Sequence, residues 1–263
     1  MLKITTYKEL YDFVHAFKQK RLTFLILISD PGLGKSYVVQ EATIEEGPLW
    51  ISGMISPLKL YLELLERNNE DPNFLVVFDD VITLFQEKRN IALLLQLCDS
   101  RGERVVRYAS TTPILRGIEK EFVTKAKVIM LYNELKPENP ILKALYSRAH
   151  LLNFAPSNTE ILNNLRTWAT DKEILDFIKA FVPFSKSLSL RAYKRAKELK
   201  DSGLNWKREL INELEVNPKL FEVHKLLNKP LTEEERANLF GSRSDWFRWR
   251  RVYLAKNSVP KFQ

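Results

Sequence analysis

The stretch Ser29-Asp30-Pro31-Gly32-Leu33-Gly34-Lys35-Ser36 constrains the fold of this 263-residue chain more than any other. An apolar, β-branched run, Leu22 to Ile28, stops at its turn-forming residues, and helical periodicity starts again at Lys35. Strand, tight loop and helix is the order that a phosphate-cradling loop needs, because the loop amides must converge on an anion at a helix start. The stretch fits that pattern except at its first position, where serine replaces the usual glycine. Gly32 and Gly34 let the backbone approach phosphate oxygens closely, Lys35 neutralises the outer phosphates, and Ser36 is the residue to coordinate magnesium. The candidate nucleotide-binding residues are therefore Asp30, Pro31, Gly32, Leu33, Gly34, Lys35, Ser36 and Tyr37.

Further short, mostly apolar runs predict strands at Pro48 to Ser52, Phe74 to Phe78, Lys127 to Tyr132 and Leu151 to Phe154. Helical spacing fills the intervals, with Thr6 to Lys20, Pro57 to Arg67 and Arg89 to Cys98 the clearest segments. The pattern is that of a parallel α/β sheet flanked by helices. After Pro156 the strands cease, and Thr159 to Thr170, Lys172 to Phe181 and Leu188 to Asp201 read as helices. The expected organisation is an α/β nucleotide-binding domain over 1–156, a helical lid over 157–205 and a helical, basic C-terminal extension over 206–263.

The run Phe74-Leu75-Val76-Val77-Phe78-Asp79-Asp80 is an apolar strand that ends in paired carboxylates. Asp79 is placed to hold the magnesium shell and Asp80 to orient or deprotonate an attacking water. Two adjacent carboxylates resist simultaneous ionisation unless a cation sits beside them, a physical reason to expect the metal.

With these residues in view, the sequence resembles the AAA+ ATPases over roughly residues 1 to 205. That family's order is P-loop, acidic strand end, polar sensor, arginine finger and helical lid. The resemblance implies ATP and Mg2+ as ligands and a homo-oligomer, ring or filament, in which subunits share active sites. It makes Asn133 the polar sensor, with Ser110, Thr111 and Thr112 competing if Val105 to Ala109 is the central strand. Arg148, in Leu145-Tyr146-Ser147-Arg148-Ala149-His150, takes the place of the finger reaching a neighbour's γ-phosphate, and Arg191, opening a basic helix, that of a second sensor. Asp80 departs from the family's usual glutamate and is one methylene shorter, which implies slower turnover. No guanine-reading motif is present, since Asn228-Lys229-Pro230-Leu231 lacks the aspartate, so adenine is expected. Ile51-Ser52-Gly53 followed by Pro57, Asp79-Asp80-Val81, and the Ser-Leu-Arg entry running to Gly203-Leu204-Asn205-Trp206 most resemble the ATPases of phages, plasmids and transposons, relatives of initiators and helicase loaders.

A formal net charge of +8 points to a polyanionic partner, so the placement of charge matters. Arg101 to Lys127 holds seven basic and three acidic residues, and Arg104 to Ala109 with Glu121 to Thr124 predicts an inserted hairpin carrying Arg104 and Arg107 toward nucleic acid. Arg243 to Gln263 holds six basic residues and one acid among Trp246, Phe247, Trp249, Tyr253 and Phe262. There Arg248, Arg250 and Arg251 are candidate phosphate contacts, while the aromatics either stack on bases or pack. One cysteine, Cys98, and three scattered histidines exclude an internal disulfide and show no metal-ligand spacing. No run is long and apolar enough to span a membrane and the amino terminus lacks a secretory pattern, so the expectation is a cytosolic protein without a membrane partner. The reading is an ATPase acting on DNA or a nucleoprotein partner; a protein remodeller and a nucleotide-regulated switch or defence module stay open.

Overall fold

The computed structural model describes residues 1–19, 22–110, 112–135 and 140–257. The chain divides into two compact units, Met1–Pro156 and Ser157–Gln263. The first opens with β1 (Leu2–Ile4), α1 (Tyr7–Lys18), β2 (Phe24–Ile28) and α2 (Lys35–Thr43). It continues through β3 (Leu49–Ser52), α3 (Pro57–Glu70), β4 (Leu75–Asp79) and α4 (Lys88–Leu97). Then come β5 (Arg104–Arg107), β6 (Glu121–Thr124), β7 (Lys127–Tyr132), α5 (Pro140–Tyr146) and β8 (His150–Phe154).

Six strands form one sheet in the order β1-β8-β2-β7-β4-β3, and every pairing in it is parallel. Strands in such a sheet bury both faces, which is why β2 and β7 are almost unbroken apolar runs with Leu25, Ile26, Leu27 and Val128 to Leu131 excluded from solvent. This is the helix-flanked parallel sheet, followed by a helical region, that the resemblance to AAA+ ATPases implies. The order matters for chemistry. Because β7 lies between β2 and β4, the carboxyl end of the phosphate-loop strand and that of the acidic strand open on either side of the end of β7.

The segment from Val105 is therefore not the central strand. It belongs to β5, which pairs antiparallel with β6 in a separate two-stranded sheet. That removes the basis for Ser110 and Thr112 as sensors, and Thr111 lies outside the described residues.

The second unit is helical: α6 (Asn158–Trp168), α7 (Lys172–Phe181), α8 (Leu190–Asp201), α9 (Trp206–Glu213), α10 (Pro218–Leu227), α11 (Glu233–Phe240) and α12 (Arg243–Asn257). Polar caps fix several of its helix starts: Ser157, Asp171, Ser189, Asn205, Asn217 and Thr232 each accept a backbone N–H of the first turn. Lys200 ties α8 to Asp171 and Glu173 at the start of α7 at 2.8 and 2.9 Å. Val223, Leu226, Ala237, Phe240 and Trp246 form a separate small core among α10, α11 and α12. Among the described residues no helix is long and apolar enough to cross a membrane.

Candidate functional site

β2 delivers the chain into the loop at Ser29, whose N–H donates to the Tyr132 carbonyl at 3.3 Å and whose side chain is buried. Gly32 and Gly34 then adopt φ of +82° and +83°, a left-handed conformation that side chains oppose, and this folds the loop back over the start of α2. Gly34, the N-cap of α2, has no side chain with which to accept the first-turn amides itself. Tyr7 from α1 braces the loop from behind by donating its hydroxyl to the Leu33 carbonyl at 3.1 Å. No spacing in the sequence announces that contact.

Lys35 is only 6% exposed, and its ammonium donates to the Ser29 carbonyl at 2.7 Å and to Asn133 Oδ1 at 2.9 Å. Asn133 follows β7, and its amide nitrogen donates to Asp80 Oδ2 at 3.0 Å. Ser36 Oγ donates to Asp79 Oδ1 at 2.9 Å. Four elements thus converge: the loop and α2 supply the cation and hydroxyl, β4 the carboxylates, and β7 the amide that bridges them. Asp80 holds φ of +49°, an unfavourable conformation for a residue with a Cβ, and its N–H is fixed by the Leu131 carbonyl at 3.0 Å.

Burial pushes the Asp79 carboxyl above its ordinary range; the neighbouring Asp80 charge adds to this, while the Ser36 hydroxyl, the Lys35 charge and the nearby Trp50 indole oppose it. Trp50 on β3, the strand paired with β4, lies near Asp79, and sequence reasoning missed it. Its sequence signal is faint, because an indole on an edge strand reads as packing. A cavity of about 550 Å³ opens beside these groups, lined by Asp30, Pro31, Asp80, Ile82, Phe85 and Asn133 among others.

The donor set fits a nucleoside triphosphate with a hard divalent cation. Backbone without Cβ atoms, a buried ammonium and a helix start capped by glycine suit phosphate, and the Ser36–Asp79 pair offers oxygen ligands. Among the described residues no cluster of three or more His, Cys, Asp or Glu could hold a metal alone. Mg2+ commonly shares its shell with phosphates and water, so two protein oxygens suffice.

The remaining candidates lie elsewhere. Tyr37 on α2 is exposed. Arg148, after α5, donates to the Leu95 carbonyl near the end of α4 at 2.6 Å, away from the Lys35–Asn133–Asp80 hydrogen bonds among the described residues. Arg191 is an exposed residue of α8, in the second unit. Arg104 corrects the expectation of a phosphate contact: it is 3% exposed, and its guanidinium donates to the carbonyls of Leu97, at 2.8 Å, and Ala126. Arg107 is exposed and paired with Glu121 at 2.6 Å.

On α12, Arg248 and Arg251 are exposed, whereas Arg250 is half-buried and lies 3.5 Å from the Glu233 carboxylate, which takes it out of a free basic face. Trp246 is fully buried and donates to Glu233 at 2.8 Å, so this aromatic packs, while Phe262 lies outside the described residues.

No protein-family model matches the sequence, and no curated protein matches it. Among solved structures, a Thermotoga maritima RuvB described as a Holliday junction branch migration motor is 11% identical, with a TM-score of 0.47 over 96% of this chain and 88% of that one. A mutant of the same protein is 12% identical, with a TM-score of 0.49 over 97% of this chain and 88% of that one. Likenesses this distant assign no activity.

Proposed function

We propose that the chain is an ATPase of the AAA+ type, which binds ATP with Mg2+ at interfaces between its own subunits and couples slow hydrolysis to work on DNA or a nucleoprotein partner. The observation that carries this is the unbroken chain from Lys35 through Asn133 to Asp80, which joins phosphate cation, polar sensor and candidate base in one hydrogen-bonded unit. Lys35 and the loop amides would hold the phosphates, and Ser36 and Asp79 would hold Mg2+, whose charge offsets that of the transferred group. Asp80 accepts the proton of the attacking water, and Asn133 aims its carboxylate. Arg148 supplies a cation to the neighbouring subunit's site, and Arg191 acts as a second nucleotide sensor. The exposed Arg248 and Arg251, with Arg107 on the hairpin, support nucleic acid as the polyanion. The three sequence segments likened to those of phage and transposon ATPases support a mobile-element setting, in the cytoplasm.

ATP hydrolysis measured against protein concentration, with and without DNA, tests this reading. Specific activity is expected to rise with concentration and with DNA, and to fall when Asp80→Asn removes the proton acceptor while leaving ATP bound. Activity independent of concentration would overturn the shared site. Turnover unchanged in Asp80→Asn would remove Asp80 from the chemistry. ATP binding without stimulation by DNA would favour a protein remodeller or nucleotide switch.

A further inference from the structure

We propose that the groove between α4 and the β5–β6 hairpin seats a backbone phosphate of DNA, and that α4 transmits its occupancy to Asp80. The proposal rests on the reading of the chain as a DNA-directed ATPase. The groove is a cavity of about 230 Å³ with Arg89 and Gln96 on one wall and Arg107, Tyr108 and Ser110 on the other. Arg89, Leu93 and Gln96 recur at three- and four-residue spacing, which sets them on one face of α4.

Gln96 fixes the walls together: its Oε1 accepts the Arg107 N–H at 2.8 Å, and its Nε2 donates to the Arg107 carbonyl at 3.5 Å. Tyr108 is held from below by its ring stacked on Tyr61, with centroids 5.3 Å apart. The Arg107 side chain is tied to Glu121 on the hairpin's outer face by two contacts, at 2.6 and 2.7 Å, so its charge is largely offset and Arg89 carries the cationic side of the groove. Arg89 is exposed and has no ion-pair partner among the described residues.

The exposed Arg89 guanidinium at one wall of a small cavity, with Ser110 and the backbone of Arg107 on the other, suits the tetrahedral oxygens of phosphate. The volume argues for a group projecting from a polymer. Pockets that enclose a whole small molecule run about 300–1,000 Å³, more than this groove offers. Lys120, whose carbonyl accepts the Tyr108 N–H at 2.8 Å, places a further basic residue on the strand side of the groove.

The link to the nucleotide site is the next residue along. Asn90 is fully buried, and its amide donates to the Ile55 carbonyl at 3.3 Å and the Thr83 carbonyl at 3.2 Å. The Thr83 hydroxyl accepts the Ile55 N–H and donates to the Ile55 carbonyl, both at 3.0 Å, and the Ile82 N–H donates to the Gly53 carbonyl at 3.0 Å. The first turn of α4 therefore clamps the segment that begins at Asp80, itself held at positive φ. A phosphate drawn against Arg89 pulls on that turn, and the pull reaches Asp80 through Asn90 and Thr83.

The test uses the full-length protein and a fluorescein-labelled mixed-sequence DNA 30-mer, single-stranded and as a duplex, with anisotropy read across salt. Arg89→Ala is expected to weaken binding several-fold and to flatten the slope of log affinity against log salt by roughly 0.7 to 0.9, one phosphate contact. Its basal ATP hydrolysis is expected to stay at the wild-type rate while stimulation by DNA drops. Thr83→Val is expected to keep DNA affinity and lose stimulation. If wild-type protein binds the DNA and Arg89→Ala keeps both affinity and slope, the seat is overturned and the ATPase reading stands. If Thr83→Val is stimulated like the wild type, the transmission through α4 is overturned. If the wild type binds neither form of DNA, the DNA-directed reading itself fails and the seat with it.

Discussion

Asn133 joins two opposite charges with one planar group: its oxygen accepts from Lys35 and its nitrogen donates to Asp80. Replacing it with alanine leaves Lys35 its bond to the Ser29 carbonyl, so nucleotide affinity is expected to change little. Asp80 loses its orienting donor, and single-turnover hydrolysis is expected to fall about 100-fold, the usual cost of one preorganised group in such a site. A variant that hydrolyses as fast as wild type would remove Asn133 from the reacting geometry. Asp79 makes a second case at this scale. Its carboxyl titrates above the ordinary value because it is half-buried beside another acid, so the unfolded chain gives up this proton at lower pH than the folded one. Stability should therefore decline as pH rises from the ordinary value of 3.8 through the raised one, and level off above it. Asp79→Asn should flatten that decline and raise the melting temperature without ligand. The same variant should lose most of the Mg-ATP stabilisation, about 2.7 kcal/mol for wild type at 100 times Kd. Melting curves against pH, with and without Mg-ATP, check both signs.

Among the elements, the β5–β6 hairpin shows what a residue pattern can and cannot disclose. Arg104-Val105-Val106-Arg107 alternates so that each face carries one arginine and one valine, and nothing in the four residues selects the inner face. The selection comes from β6, where Phe122, opposite Val106, turns inward; Arg104 goes in with Val106, and Val105 is left 47% exposed. Arg104 then serves as a buried clamp between the end of α4 and the start of β7. Arg104→Ala is expected to cost about 3 kcal/mol in urea unfolding, since charged hydrogen bonds contribute roughly 1.5 to 3 each, and to leave DNA affinity unchanged in the folded protein. Loss of DNA affinity at intact stability would reverse that assignment. The central strands were legible because burial on both faces demands apolar runs, and the polar residue ending each run was legible as chemistry. β1 was missed because only Ile4 of its three residues is buried, and α5 because seven residues give a periodicity too short to recognise. Trp50, Tyr7 and the Asn90 clamp reach the site through tertiary contacts between distant segments, which no local pattern encodes.

For the whole molecule the question is whether one chain holds a complete site. Lys35, Ser36, Asp79, Asp80 and Asn133 are joined in the first unit, while Arg148 lies against the Leu95 carbonyl and outside their hydrogen-bonded chain. Under the proposed function, such a guanidinium serves a neighbouring copy's phosphates through a head-to-tail contact that closes into a ring or extends as a filament. Arg148→Ala should therefore bind ATP nearly as wild type, yet hydrolyse it about 1,000-fold more slowly, the lower end of what a missing arginine finger costs. Lys35→Ala should fail at binding, because it removes the ammonium at the centre of the cradle. Alone, the first variant is expected to turn over only at that residual rate and the second not at all. Mixed in equal amounts, they form roughly a quarter of their interfaces with an intact cradle from the Arg148 variant facing an intact finger from the Lys35 variant, if pairing is random and head-to-tail. Activity recovered on mixing, rising with total protein and well above the residual rate of either variant alone, is the expected outcome. Subunit exchange followed by energy transfer between labelled copies supplies the control. Exchange without any recovery of hydrolysis would show that Arg148 does not act across an interface.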